Sequence, residues 1–314
     1  MKTALIIALI CLIVGALIVG VGFVILKKNP PRVVTESYSY SIDELPSKIN
    51  IDVISSDVKI CVTEGEEWRV EYKNTEKIFH TVKLADGVLT IEQEDTRKWY
   101  ELLWDFFTPT LSVTLYMPAQ AYDSLSVLST SGDINVAPEY TFSNVDLKVT
   151  SGDITMAALT TGALSVKTTS GDIAVSGNVG GGLKIECTSG DIGITGGVNG
   201  KLEVFNTSGD IAIRNATPTS VTVSNTSGDM YLQNVVSREN FEIKNTSGEI
   251  ELDHCDAASF DLKTTSGDIR ASILSGKVFD CSVTSGSVNV PANGEGGTFK
   301  ARSTSGDIRV TIVQ

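Results

Sequence analysis

The sequence is short of cationic side chains, of histidine and of any cysteine framework. Its 314 residues include 25 Lys or Arg against 38 Asp or Glu, a net charge of −13. The imbalance is steeper beyond the amino terminus. The first 32 residues hold Lys2, Lys27, Lys28 and Arg32 and no acid, which leaves 21 basic and 38 acidic side chains in the other 282, a net of −17. Binding a phosphate backbone needs clustered basic surface, so nucleic acid is excluded as a partner. Two histidines and five scattered cysteines supply neither a zinc ligand set nor a disulfide pattern, and no metal or other cofactor is implied. A content of 41% hydrophobic and 20% charged residues excludes bulk disorder.

What the chain does have begins with an apolar run. Thr3 to Leu26 contains no charged residue. As a helix, Ala4 to Leu26 would extend roughly 35 Å, enough to cross a hydrocarbon core of about 30 Å with some tilt. The run continues into Lys27-Lys28 with no small-residue cleavage site before it, and Leu9-Ile10 ahead of Cys11 do not form a lipoprotein signal. Residues 1–32 therefore read as an uncleaved single-pass anchor in membrane lipid, flanked by Lys2, Lys27 and Lys28. The flanking charges slightly favour a cytoplasmic domain. An N-terminal signal-anchor usually exports the domain attached behind it, and the extracytoplasmic side is the expectation taken here.

From residue 125 the chain is periodic. Thr-Ser-Gly occurs ten times, with its serine at Ser131, Ser151, Ser170, Ser189, Ser208, Ser227, Ser247, Ser266, Ser285 and Ser305, spaced 19 or 20 residues apart. Aspartate follows in eight copies; Glu249 and Ser287 are the exceptions. Before each serine, apolar residues alternate, as in Leu164 and Val166 or Leu202 and Val204, the pattern of a strand with one buried face. Apolar residues return three and five positions after it, as in Ile173 and Val175, on the opposite parity. A corner must lie between, at Gly132-Asp133, Gly152-Asp153, Gly171-Asp172, Gly190-Asp191, Gly209-Asp210 and Gly228-Asp229 in successive copies. Glycine tolerates positive φ there, and aspartate accepts nearby backbone N–H groups. Residues 125–314 are thus expected to be a β-solenoid of about ten coils. Asn206, Asn225 and Asn245 fall on an inward row and suggest a side-chain amide ladder in preference to glycosylation. Cys187 and Cys281, also inward and five coils apart, read as small buried hydrophobes.

Residues 33–124 lack the tripeptide and read as a β capping region. Ser55-Ser56-Asp57-Val58, after Ile49, Ile51 and Val53, resembles one more, degenerate coil, and strands are expected at 68–73, 88–92 and 111–116. Between the last two lies an insertion with Trp99, Tyr100, Trp104, Phe106 and Phe107. Such a cluster either packs over the core edge or contacts a partner or the membrane interface.

Three kinds of chemistry fit poorly. The aspartate row gives one carboxylate per corner without a second ligand, so turn capping explains it better than calcium. The threonine row is flanked by Lys148, Lys167, Glu186, Phe205 and Lys244, which does not suit binding to an ordered lattice such as ice. Polysaccharide-cleaving β-helices gather an acid and a base at one site, whereas here the polar residues recur coil after coil and His80 and His254 lie far apart. No catalytic residue is assigned.

Leu111 to Pro118, then Leu125 to Ile134 and the repeated T-S-G-D-I coils, resemble the bacterial putative-adhesin domain family of unknown function. The resemblance covers roughly residues 40–314. It implies a membrane-anchored β-solenoid displayed at the cell envelope, in some members associated with envelope stress, and it supplies no catalytic residues. The expected function is a non-enzymatic, adhesin-like interaction surface with an unidentified protein or cell-wall partner. One alternative is an envelope-stress regulator that binds a membrane protein through the tryptophan-rich insertion. A second is a carbohydrate-active β-helix enzyme. Self-association through a strand edge near Val310 to Val313 is a further expectation.

Overall fold

A computed structural model describes residues 15, 32–41, 44–63, 67–99, 101 and 110–313. The apolar segment with Lys2, Lys27 and Lys28 lies outside the described residues apart from Gly15, as do Tyr100, Trp104, Phe106 and Phe107. Among the described residues no helix is long and apolar enough to cross a membrane.

The described chain is all-β, and its repeats stack as expected. Each full coil places one strand, before the glycine corner, in one sheet and a second strand, after the corner, in another. Leu164–Ser170 and Ile173–Val175 form one such coil. Neighbouring coils pair in parallel: Val166 faces Leu147 on one side and Ile185 on the other, and Ile173 faces Ile154 and Ile192, while between Ile250–Cys255 and Ile269–Ile273 the register shifts after Leu252. On the third side of some coils contact shrinks to single bridges such as Thr160–Val179–Val198. Alternation aims Leu, Ile and Val from both sheets into one continuous core, in which Val166, Ile173, Ile185 and Leu202 have no more than 1% exposure. A lone coil could not bury this face, so each one depends on its neighbours.

The amino-terminal end is built differently. Its strands are β1 (Val34–Ser41), β2 (Lys48–Val62), β3 (Glu67–Asn74), β4 (Ile78–Ala85), β5 (Val88–Asp95) and β6 (Leu111–Met117). Strand β2 is the degenerate coil. It bends through both sheets and pairs in parallel with β7 (Ala121–Ser131) and β8 (Ile134–Val136), with Ser55 opposite Ser131 and Val58 opposite Ile134. Beyond β2 one sheet continues as β5 then β4, and the other as β6, β3 and β1. Strands β4, β3 and β1 run antiparallel to their neighbours. Three of these strands match expectation; β1 and β4 were not apparent from the sequence. Aromatic rings close the end of the core. Trp68 is fully buried, Tyr40 stacks on it at 4.3 Å, and Tyr38 stacks on Tyr72 at 6.0 Å.

At the other end the coils leave sequence order. Strand Ser259–Ser266 pairs with Thr298–Ser305, and Val278–Ser285 pairs with the far side of Thr298–Ser305. The last coil of the chain is thus inserted beneath the one before it. The ring ladder follows the same order, running Phe241, Phe260, Phe299, Phe279 with centroids 5.3, 5.0 and 5.7 Å apart. Two connections must pass each other for this, and they do so on glycine. A Cβ at Gly297 would lie 1.6 Å from the Ala258 carbonyl oxygen, and one at Gly296 would lie 2.4 Å from that of Gly276. The end of the stack is therefore Val278–Ser285 with Val288–Asn289, and Ile308–Ile312 pairs with Ile269–Ile273 on one side and Val288–Asn289 on the other. This exchange covers Ile308 and Arg309 with Val288–Asn289 and leaves the outer edge of Val310 to Ile312 without a strand partner among the described residues. It also leaves Phe279 and Cys281 half-buried instead of enclosed.

Candidate interaction surfaces

The repeated corner is a stacking device. The corner glycines have φ between +122° and +148°, a conformation that L-residues seldom adopt. At Gly209 a Cβ would also lie 2.1 Å from the Gly190 carbonyl oxygen of the preceding coil. The following aspartate reaches across coils and not within its own turn. Oδ1 of Asp57 accepts the N–H of Asp133 at 3.0 Å, Asp133 that of Asp153 at 2.9 Å, and Asp153 that of Asp172 at 2.8 Å. Asp172, Asp191, Asp210 and Asp229 continue the chain to Asp191, Asp210, Asp229 and Glu249 at 2.8 Å. Both exceptions to the motif become intelligible. Glu249 pairs with Arg270 of the next coil. Ser287 belongs to the terminal coil, where no further coil presents an N–H, and it donates its own N–H and hydroxyl to Asp307. Those bonds to Ser287 hold the Asp307 carboxyl below the usual carboxylate range. Among the described residues no group of three metal-binding side chains converges.

The asparagines are buried as expected but do not form an amide ladder. Asn225 donates from Nδ2 to the Gly209 and Ser227 carbonyls at 2.9 and 3.1 Å, while its Oδ1 accepts the Thr226 N–H at 2.9 Å. Asn206 and Asn245 clamp the corner beneath them in the same way. Cys187 occupies the same row, buried, with its Sγ 3.8 Å from the Gly171 carbonyl oxygen.

In the degenerate coil Ser56 stands where glycine would stand, and it supports a separate polar cluster. Ser56 Oγ lies 3.0 Å from His80 Nε2, whose Nδ1 lies 2.9 Å from Asn74 Oδ1, and Gln93 Nε2 donates to Ser56 Oγ at 3.1 Å. Gln93 Oε1 accepts the N–H groups of Ile54 and Ser55. A Ser-His-Asn sequence of contacts suggests a nucleophile, but Ser56 has 0% exposure and His80 5%, so no substrate reaches the hydroxyl. The cluster closes the polar groups of the first corner inside the cap. Burial pushes the His80 imidazole down to about 4.

Outside, the sheet of strands after the corner carries a groove of about 460 Å³ spanning five coils. Its floor is the outward row Thr155, Ala174, Gly193 and Ala212, in direct register from coil to coil. The aspartate row from Asp153 to Asp229 runs along it, and Tyr231 stands at one end with the Arg214 guanidinium 5.5 Å from its ring centroid. These floor residues were missed in the sequence. The available signal was four consecutive small side chains four positions after the repeat serine, between Asn135 and Tyr231. The sheet of strands before the corner instead carries ion pairs such as Lys167–Glu186 and Lys148–Asp146 at 2.7 and 2.6 Å. Of the aromatic insertion, Trp99 is described and is 76% exposed.

Comparison with known proteins adds the family. The Toastrack DUF4097 family model matches residues 46–233 and 208–314. The chain belongs to the Toastrack DUF4097 family. Solved structures similar to this Toastrack chain include a putative adhesin from Parabacteroides merdae, 14% identical with a TM-score of 0.44 over 91% of this chain and 98% of that one. A putative adhesin from Parabacteroides distasonis is 13% identical with a TM-score of 0.42, covering 89% and 98%. Another, from Bacteroides fragilis, is 12% identical with a TM-score of 0.33, covering 89% and 97%. No curated protein matches the chain.

Proposed function

We propose that this Toastrack chain is a single-pass membrane protein that displays a non-enzymatic β-solenoid on the extracytoplasmic side of the bacterial envelope, as an adhesin-like interaction module. The observation that carries the reading is the groove across five coils, floored by Thr155, Ala174, Gly193 and Ala212. An elongated, shallow trough with small side chains below and carboxylates along it suits an extended stretch of macromolecule. Small-molecule sites are more often enclosed and converge on a few polar groups. The recurring corner carboxylates already accept backbone N–H groups, which is a stacking role.

Filling the floor tests this. Ala174→Leu with Ala212→Leu keeps strand register, since both side chains point outward. Cells expressing the full chain should bind isolated cell-wall material, and the double variant should lose most of that binding at equal surface abundance. Unchanged binding would remove the groove from the account. Turnover on a polysaccharide panel, abolished by one acid-to-amide change, would replace the whole reading with an enzyme.

A further inference from the structure

The start of the cap and the exposed Trp99 share one corner of the molecule. Val34 lies opposite Asn74 in the β1–β3 ladder. Asn74 leads into a turn closed by the Thr75 N–H donating to the Ile78 carbonyl, and just across it Thr96 donates both N–H and Oγ1 to the Lys77 carbonyl. Trp99 lies three residues further along the chain. It is 76% exposed, and Val33 and Val34 at the start of β1 are 38% and 44% exposed. Of the other aromatics of the cap, Trp68 and Tyr72 are buried in the core, and Tyr38 is 51% exposed. A large exposed indole near exposed valines suits an environment that is apolar on one side and wet on the other.

The chain before Val34 indicates what supplies that environment. Seven residues, 27–33, separate the uncharged run ending at Leu26 from β1. Fully extended, seven residues reach at most roughly 25 Å. If the run spans a bilayer, which is the reading proposed above and on which this inference rests, this corner is the part of the domain held nearest the lipid headgroups. Such a tether makes the contact intramolecular, so an affinity too weak to act from solution is still populated. Charge is favourable as well. Lys27, Lys28 and Arg32 stand in the seven residues before β1, on an otherwise acidic chain, and suit anionic lipid.

We propose that Val33, Val34 and Trp99 form a membrane seat. Trp99 rests at headgroup level in the bilayer that holds the N-terminal segment. The first coil is then proximal to the membrane, and the strand Val278–Ser285 is distal, roughly 50 Å along the stack at about 4.8 Å per coil.

The test uses full-length protein in vesicles of phosphatidylcholine and phosphatidylglycerol, with and without brominated acyl chains. In a Trp104→Phe background the reporters are Trp68, enclosed in the cap, and Trp99. Brominated lipid should lower the emission, and adding Trp99→Phe should abolish that loss. Because Trp99 is mostly exposed, the substitution leaves the core intact, and protease resistance checks this. Equal emission in both lipids, from protein that stays in the membrane through alkaline carbonate, overturns the seat and leaves the anchor standing. Release by carbonate overturns the anchor reading beneath it. Shielding of Trp99 from iodide only after a membrane-protein fraction is added assigns the corner to a protein partner and also overturns the seat.

Discussion

The two ends of the stack solve the same problem by different means. At the amino-terminal end antiparallel strands and stacked rings of Tyr40, Trp68, Tyr38 and Tyr72 lie over the last parallel coil. At the carboxy-terminal end no new structure is added, and a coil of the repeat itself is left outermost with Phe279 and Cys281 half-buried. The corner motif records both ends. Ser56 replaces glycine in the first coil, where Oγ can serve His80 and Gln93. Ser287 replaces aspartate in the last, where a carboxylate would have no N–H to accept. At the two ends, a departure from consensus marks where a repeat neighbour is missing.

The sharpest way to break that comparison is at a corner with neighbours on both sides. Gly209→Ala meets both a φ of +122° and a backbone oxygen 2.1 Å away. It should cost about 3 kcal/mol or more, seen as premature melting of the central coils in hydrogen exchange.

A second test isolates the cap. With His80 held near 4 by burial, against about 6.5 when unfolded, the unfolded chain takes up the proton first as pH falls. The contribution of neutral His80 is complete above pH 6.5 and is lost progressively down to pH 4, about 3 kcal/mol in all. Denaturation followed by Trp68 emission should show this slope, and His80→Gln should flatten it. The terminal coil should show no matching dependence.

The smallest effect separates ladder interior from ladder end. Asp191→Ala removes the acceptor of the Asp210 N–H and should cost about 1 kcal/mol. Ser287→Asp, compared with Ser287→Ala, which also gives up the Oγ bond to Asp307, should differ in stability by less than about 0.5 kcal/mol, since nothing stacks on the terminal coil to use the carboxylate. Comparable effects at both positions, measured by thermal melts, would mean that the ladder does not end at Ser287.

The repeating part was legible in the sequence because its signal is redundant. Ten copies of Thr-Ser-Gly fixed coil length, inward rows and corner, and even the degenerate Ser55-Ser56-Asp57-Val58 paired where its phase placed it. Coil order was not legible, because each coil fits against any other and the repeat carries no address. Ser287 and the glycines at 294, 296 and 297 were the local traces of the exchange. Strand β1, whose inward Tyr38 remains 51% exposed, lacks the apolar alternation that identifies a strand. The His80 cluster was hidden for a different reason: its partners are 6, 13 and 24 residues away and meet through β4 and β5 pairing. The groove was missed because small outward residues look like indifferent surface one coil at a time.

Display at the envelope is the central claim, and topology tests it most directly. Ser176→Cys places an exposed thiol in the loop after Ile173–Val175 without disturbing a corner. Intact cells expressing the full-length variant are treated with a membrane-impermeant maleimide, with the wild-type chain as the background for its own cysteines. The account predicts strong labelling of the variant in intact cells. Labelling that appears only after lysis would place the solenoid in the cytoplasm and contradict the adhesin-like reading.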